Sequence, residues 1–141
     1  TYWTERVGPT AALATIRKLK SKNVPIHLGD IGRKMKAVWK SCASMNDINI
    51  TIAGIDPICH FDFQHETPLV LKTLFTQIML EKGFLATTAL YASDAHNDEH
   101  LAKYSEGAKD AFSIISKAID EGKPEKYLKG PVCHSGFKRL T

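Results

Sequence analysis

Hydroxyl-bearing side chains lie in the opening segment of the chain, directly before a predicted helix start. Thr1 and Thr4 precede Pro9, and a run rich in alanine follows the proline. Proline is tolerated at the first position of a helix because the N–H that it lacks would have no partner there. The other unpaired N–H groups of a helix start can bind an anion. The segment therefore predicts a site for an anionic group beside a helix that begins at Pro9.

Histidines are the residues that could bind a metal ion. His96 and His100 are four residues apart, the spacing that places two zinc ligands on one face of a helix. His96 is expected to precede the helix, however, and no cysteine or acidic residue is placed as a third ligand. For His60 and His65, at the ends of a strand and a loop, we expect ordinary packing or hydrogen bonding. No metal site is predicted.

Two cysteines, Cys59 and Cys133, are each followed directly by a histidine. Neighbouring residues of a strand point to opposite faces, so this dipeptide does not bring sulfur to imidazole, and a cysteine nucleophile is not predicted. Ser93 and His96 are instead expected to hold a turn between a strand and a helix, since short polar side chains often bond to nearby backbone there. No catalytic residue is assigned within the chain.

Four segments follow one another along the chain in a characteristic order. They are Thr-Tyr-Trp-Thr-Glu-Arg-Val-Gly-Pro at residues 1–9, Gly-Phe-Leu-Ala at 83–86, Ser-Asp-Ala-His at 93–96 and the closing residues 130–141. Together they resemble the C-terminal part of a class III, fold-type I pyridoxal-phosphate enzyme. The closest likeness is to glutamate-1-semialdehyde 2,1-aminomutase and related aminotransferases, and it extends over essentially all 141 residues.

The resemblance implies a larger enzyme. In that family a lysine and an acidic residue of the central domain, which precedes the part resembled here, hold pyridoxal 5'-phosphate. Residues 1–141 are then expected to be one domain, a C-terminal fragment that is inactive alone because the cofactor lysine is missing. Its expected partners are the N-terminal and central domains, a second identical subunit and a small-molecule substrate. The implied activity moves an amino group on an amino-aldehyde or an amino acid.

The resemblance also implies which residues bind the cofactor. A family threonine shortly before the helix-opening proline donates its hydroxyl to the cofactor phosphate of the neighbouring subunit. Thr4 stands five residues before Pro9 and matches without a gap. Thr1 is followed by an aromatic residue as in the family, but its match requires a three-residue insertion. Arg6 departs from the family's small-residue turn, and it could bind a substrate carboxylate or pair with an acidic residue of the missing domain.

Two alternatives to an aminomutase stay open. A pyridoxal-phosphate aminotransferase of specialised or amino-sugar metabolism would use the same cofactor steps, and the residues that distinguish the two are expected upstream. A non-catalytic association module would need only apolar helix faces and a mild basic charge.

Composition indicates which partners and which cellular compartment to expect. The formal net charge of +4 comes from basic residues spread over several helical segments, which indicates a solvated surface rather than a nucleic-acid or lipid partner. Three cysteines, an odd number without paired spacing, favour a reducing cytoplasm over a disulfide scaffold. No apolar run approaches the ~18 residues of a membrane span, so no membrane partner is expected.

Hydrophobic periodicity predicts an α+β domain, in which a small, mainly antiparallel sheet of about three strands is covered by helices. Helical spacing extends over residues 9–22, 28–44, 68–82 and 98–121, with one further turn at 125–128. Strands are predicted at residues 48–52, 58–63 and 84–92, with a turn at 54–57. Asn97 is expected to cap the last long helix, and Gly83 to end the third. The apolar stripe of the first helix is expected to face a partner; it consists of Ala12, Ile16 and Leu19.

Overall fold

The computed structural model describes residues 3–136, and within them the chain forms four α-helices and one three-stranded antiparallel sheet. The predicted α+β class is therefore confirmed. The elements are α1 (Val7–Ser21), α2 (Val24–Met45), β1 (Ile50–Ile55), β2 (Ile58–Phe63), α3 (Pro68–Glu81), β3 (Ala89–Tyr91), α4 (Asp98–Asp120) and a 3₁₀ turn (Pro124–Tyr127).

Local signals set the start of α4 and the end of α3 where the sequence predicts. The Asn97 side chain accepts a hydrogen bond from the His100 N–H at 2.9 Å and so caps α4. Gly83, at φ 85°, follows α3, and the N–H of Phe84 then reaches back to the Met79 carbonyl at 2.9 Å. This pattern is the Schellman motif, in which glycine adopts the left-handed conformation without steric cost.

The first two strands form a hairpin whose turn is shorter than predicted. The register runs from Ile50 opposite Phe63 to Ile55 opposite Ile58, so Gly54 belongs to β1 and only residues 56–57 connect the strands. The predicted start of β1 at Ile48 is also wrong. The Ile48 N–H closes the end of α2 through the Ala43 carbonyl at 3.0 Å, and the strand begins after that contact.

β3 contains only three residues, fewer than the predicted residues 84–92. It pairs antiparallel with β2 through Ala89, Leu90 and Tyr91, which makes β3 an edge of the sheet. Residues 84–87 form an irregular connection without strand pairing. Alternation along a strand cannot reveal this difference, because an unpaired segment can carry the same residue pattern.

Aromatic side chains form the centre of the core, between one face of the sheet and the helices. Phe61 is fully buried, and its ring lies 5.0 Å from that of Trp39 and 5.3 Å from that of Phe75, measured between centroids. The Trp39 indole N–H donates to the Tyr104 hydroxyl at 2.9 Å, and burial raises the pKa of Tyr104. The core therefore contains a polar contact that is satisfied internally, as a buried hydroxyl requires.

Helix α1 differs from the other helices because all its residues are exposed. The stripe predicted to face a partner contributes nothing to the described core, and Ile16 remains 60% exposed. Lys18 of α1 and Lys22, directly after the helix, form exposed ion pairs with Asp94 at 3.9 and 3.2 Å. Of the helices in the described part of the chain, none combines the length and apolar character that crossing a membrane requires.

Candidate functional site

The segment before α1 contains the predicted anion site. Thr4 lies exposed in a turn, while Thr1 lies outside the described residues. The helix begins at Val7 rather than at Pro9, so the prediction that Pro9 opens it is wrong. The proline occupies the third helical position, which is tolerated because the first four N–H groups of a helix have no partner within it.

The chain itself already places a carboxylate at this helix start. The Gly8 N–H donates to Glu5 Oε1 at 3.0 Å, a contact that satisfies one of the unpaired groups and suits the positive end of α1. Within residues 3–136, the Thr4 hydroxyl and the Arg6 guanidinium make neither a hydrogen bond nor an ion pair. These two side chains therefore remain available to a group from outside the described chain.

A second polar cluster joins the residues between β3 and α4. His96 Nδ1 lies 3.0 Å from both the backbone N–H and the hydroxyl of Ser93. Because the backbone N–H can only donate, Nδ1 accepts, and the proton of the neutral ring is then on Nε2. His27 Nε2 approaches the His96 carbonyl at 2.9 Å. Ser93 and His96 thus hold the turn as predicted, and His27 anchors that turn to α2.

The structure does not bring these two places together. Lys18, near the end of α1, pairs with Asp94 in the turn. At ~1.5 Å per helical residue, the start of α1 lies roughly 16 Å from Lys18. Thr4 and the Ser93–His96 turn are consequently at opposite ends of the helix, and they form two separate sites.

The other histidines and cysteines make structural contacts. The His96 and His100 ring centroids are 6.4 Å apart, and α4 begins after His96 as predicted. Within residues 3–136, no three histidine, cysteine or acidic side chains are grouped to hold a metal ion. His65 Nδ1 accepts from the Thr67 N–H at 3.1 Å, so the predicted hydrogen bonding is confirmed there. His60 Nε2 lies 3.6 Å from an Asp62 oxygen.

The Cys-His dipeptides do not form nucleophilic pairs. Cys59 is buried and the adjacent His60 is exposed on the opposite face of β2, as strand alternation predicts. Burial raises the pKa of Cys59, which disfavours the reactive thiolate. The Cys133 thiol points to the Leu69 carbonyl at 3.8 Å. The three thiols are unpaired.

A charge cluster fastens the β1–β2 hairpin to α2. Lys36 Nζ donates to Asp56 at 3.0 Å and to the Gly54 carbonyl at 2.8 Å, and Arg33 donates to Asp56 at 3.2 Å. The hydrogen bond from Lys36 is the largest influence on the pKa of Asp56, and together with Arg33 it lowers that pKa despite partial desolvation.

We expect this cluster to make stability dependent on acid pH. A lowered folded-state pKa contributes stability that is complete above the unfolded aspartate pKa and is lost as the pH falls through the folded value. Asp56→Asn should therefore lower the free energy of unfolding at pH 7, and the difference from the unaltered chain should shrink below the ordinary aspartate range. Urea unfolding from pH 7 to pH 2 measures this, with Glu66→Gln, an exposed carboxylate, as control. A difference that is constant over this range would contradict the assignment.

A cleft that sequence reasoning missed opens between β3, its preceding segment and α4. Its volume is about 590 Å³, within the range of ligand sites. The lining is mainly apolar and includes Phe84, Leu85, Ala89, Leu90, Tyr91, His96, His100 and Leu101. The signal in the sequence is the apolar run of residues 84–92, which by itself predicts only a strand.

No protein-family model, curated protein or solved structure matches this chain. The function of the opening segment and of the cleft must therefore be argued from their own residues.

Proposed function

We propose that this chain is the C-terminal domain of a homodimeric, pyridoxal-phosphate-dependent aminomutase or aminotransferase. The observation that carries the proposal is the ordered series of family-like segments at residues 1–9, 83–86, 93–96 and 130–141. The substrate would be a small amino-aldehyde or amino acid. Catalytic residues, including the lysine that bonds to the cofactor, would come from other domains of the enzyme.

Two structural features support the proposal. The small antiparallel sheet covered by helices is the architecture that the resemblance implies. Helix α1 has no buried residue and exposes Leu13, Ile16 and Leu19, as expected of an element that packs against another domain or subunit. The unpaired thiols are compatible with the cytoplasmic location that we also propose.

We propose that the segment before α1 forms one edge of the phosphate site. Thr4 supplies an exposed hydroxyl beside the positive end of α1, where a phosphate oxygen would accept its hydrogen bond. Glu5 already occupies the Gly8 N–H, so the phosphate contact assigned to this chain consists of the threonine hydroxyl. When bound, the cofactor supplies the electron sink for movement of the amino group. The role of this chain is to retain and orient the cofactor.

Arg6 is the residue of this segment that would address the substrate. Its guanidinium can bind a carboxylate in bidentate fashion, and its exposure leaves it able to do so. The same group could instead pair with an acidic residue of the missing domain. Aminomutase is the first assignment because the resemblance is closest there, and an aminotransferase of specialised or amino-sugar metabolism is the alternative within the class.

In the complete enzyme, Thr4→Val should weaken cofactor retention while leaving the fold intact. The substitution removes a hydroxyl that bonds to a charged group, which corresponds to ~1.5–3 kcal/mol, or roughly ten- to a hundredfold in affinity. Cofactor dissociation would be compared with that of Thr15→Val, the same change at an exposed position of α1. Thr1→Val alone lowering affinity would assign the contact to Thr1. No effect from either Thr4→Val or Thr1→Val would contradict the phosphate site.

A non-catalytic association module is the second candidate, because the apolar stripe of α1 has no buried residue. Such a module would bind a specific partner without any dependence on cofactor. A stable complex with that partner, formed equally in the presence and absence of pyridoxal phosphate, would favour it over the enzyme domain.

A further inference from the structure

The outer edge of β3 carries backbone groups without partners. β3 bonds to β2 through alternate residues, since the Phe61 N–H donates to the Thr88 carbonyl and the Ala92 N–H donates to the Pro57 carbonyl, both at 2.9 Å. The N–H and C=O of Ala89 and Tyr91 must therefore point away from β2. Within residues 3–136 these four groups make no hydrogen bond.

This edge also lacks the usual protection against strand pairing. Edge strands are commonly shielded by charged side chains, proline or a covering loop. Residues 84–92 contain no charged residue and no proline. The side chains beside the edge are apolar and exposed, Leu85 at 98% and Tyr91 at 72%. A row of unpaired backbone groups beside exposed apolar side chains is the arrangement that recruits another strand.

The cleft lies along this edge. All three residues of β3 line it, together with His96, His100 and Leu101 from the turn before α4 and from α4 itself. A neighbouring strand would run ~4.8 Å from β3, inside a cleft of about 590 Å³. A single extended segment could enter such a cleft, whereas the edge strand of a second folded copy would carry the rest of its sheet with it.

The electrostatics of the cleft select an uncharged segment. Its lining contains no lysine, arginine, aspartate or glutamate. The charges near its rim are already paired, Asp94 with Lys22 and Asp98 with Lys34. A charged side chain that entered the cleft would lose water and would meet no lysine, arginine, aspartate or glutamate to pair with, which is unfavourable.

We propose that this cleft binds an extended, uncharged and mainly apolar polypeptide segment, which pairs with the open edge of β3 as a fourth strand. Backbone hydrogen bonds to Ala89 and Tyr91 would give the segment its register, and the apolar walls would hold alternate side chains. The inference does not depend on the proposed function, because it uses only the strand edge and the cleft.

The test uses the 141-residue chain and the peptide acetyl-Val-Thr-Val-Thr-Val-amide. NMR titration should shift the amide signals of Ala89 and Tyr91 and slow their hydrogen exchange. Two further peptides are N-methylated, one at the valine amides and one at the threonine amides. Only one set of peptide amides can face β3, so one methylated peptide should lose affinity by about tenfold or more, and the other should lose little.

A variant tests the same edge from the protein side. Ala89→Pro removes an N–H that points away from β2, a position where an edge strand tolerates proline. It should lower the affinity for the peptide several-fold. Ala89→Val retains the N–H and serves as control. If the proline variant does not fold, the methylated peptides still decide the question on the unaltered chain.

Three results would overturn the proposal. Equal affinities of the three peptides would mean that no strand pairing takes place. Unchanged Ala89 and Tyr91 amides at saturating peptide would place binding elsewhere. Protection of these amides that rises with protein concentration alone would assign the edge to a second copy of the chain.

Discussion

Phe61→Ala is expected to lower the free energy of unfolding by about 3–5 kcal/mol. The Phe61 side chain is fully buried, and its ring lies within 6 Å of those of Trp39, Phe63, Phe75 and Phe112. Removing the ring leaves a cavity where the sheet meets three helices, and neighbouring aromatic rings cannot collapse into it without leaving their own contacts.

The neighbouring residue provides a matched control for this substitution. His60 precedes Phe61 in β2 but is exposed on the opposite face of the sheet, so His60→Ala should change stability by no more than about 0.5 kcal/mol. Urea unfolding followed by tryptophan fluorescence measures both variants. Similar losses in the free energy of unfolding for Phe61→Ala and His60→Ala would contradict the placement of these two side chains on opposite faces of β2. Phe61→Leu retains part of the buried volume, so its loss in the free energy of unfolding should lie between those of Phe61→Ala and His60→Ala.

Gly32→Ala is expected to lower the free energy of unfolding by about 1–3 kcal/mol or more, as overpacking does. Gly32 lies in α2, where alanine would ordinarily gain up to about 1 kcal/mol from its higher helix propensity. A Cβ at this position would lie 1.7 Å from the Asp56 carbonyl oxygen and 2.3 Å from its carbonyl carbon. Since the obstructing atoms are backbone, either α2 or the hairpin turn must move.

Gly29 is the control because it lies in the same helix, one turn earlier. A Cβ there would meet the end of the flexible Arg33 side chain at 3.3 Å, which can move aside. Gly29→Ala should therefore be neutral or stabilising by up to about 1 kcal/mol. If both alanine variants were stabilised equally in thermal or urea unfolding, the close approach of α2 to Asp56 would be wrong.

The predictions that succeeded depended on local signals. The cap at Asn97 and the glycine that ends α3 involve residues three to five apart, so the chain sequence contains all that determines them. The turn held by Ser93 and His96 is local as well. Fold class followed because the apolar period changes clearly between helical and strand segments.

Several of the predictions that failed depended on contacts between distant parts of the chain. Pairing with β2 determines which residues of the predicted strand 84–92 form β3. The register between β1 and β2 sets the end of β1. The cleft combines residues from α2, β3 and α4, which no spacing rule brings together. The contact between Trp39 and Tyr104 links residues 65 positions apart. Periodicity identifies the faces of elements but not how those faces are arranged.

The early start of α1 has a physical reason of a different kind. Val7 and Gly8 are poor indicators of a helix start, and proline is a strong one at the first position. The Glu5 carboxylate accepts a hydrogen bond from the Gly8 N–H. This contact satisfies a backbone group of the first turn, so the helix can begin before the proline. For the candidate site, Thr4 is exposed and its role stays a prediction, and sequence patterns did not predict Glu5 at the same helix start.

The proposal that two subunits share each active site is tested most directly by mixing two inactive full-length variants. One variant lacks the upstream cofactor lysine, and the other has both Thr1 and Thr4 replaced by bulky residues. In a mixed dimer with shared sites, one site receives both lesions and the other receives neither. We therefore predict that activity returns after subunit exchange. Exchange that is demonstrated by mass spectrometry but restores no activity would contradict the assignment of the opening segment to the partner's cofactor.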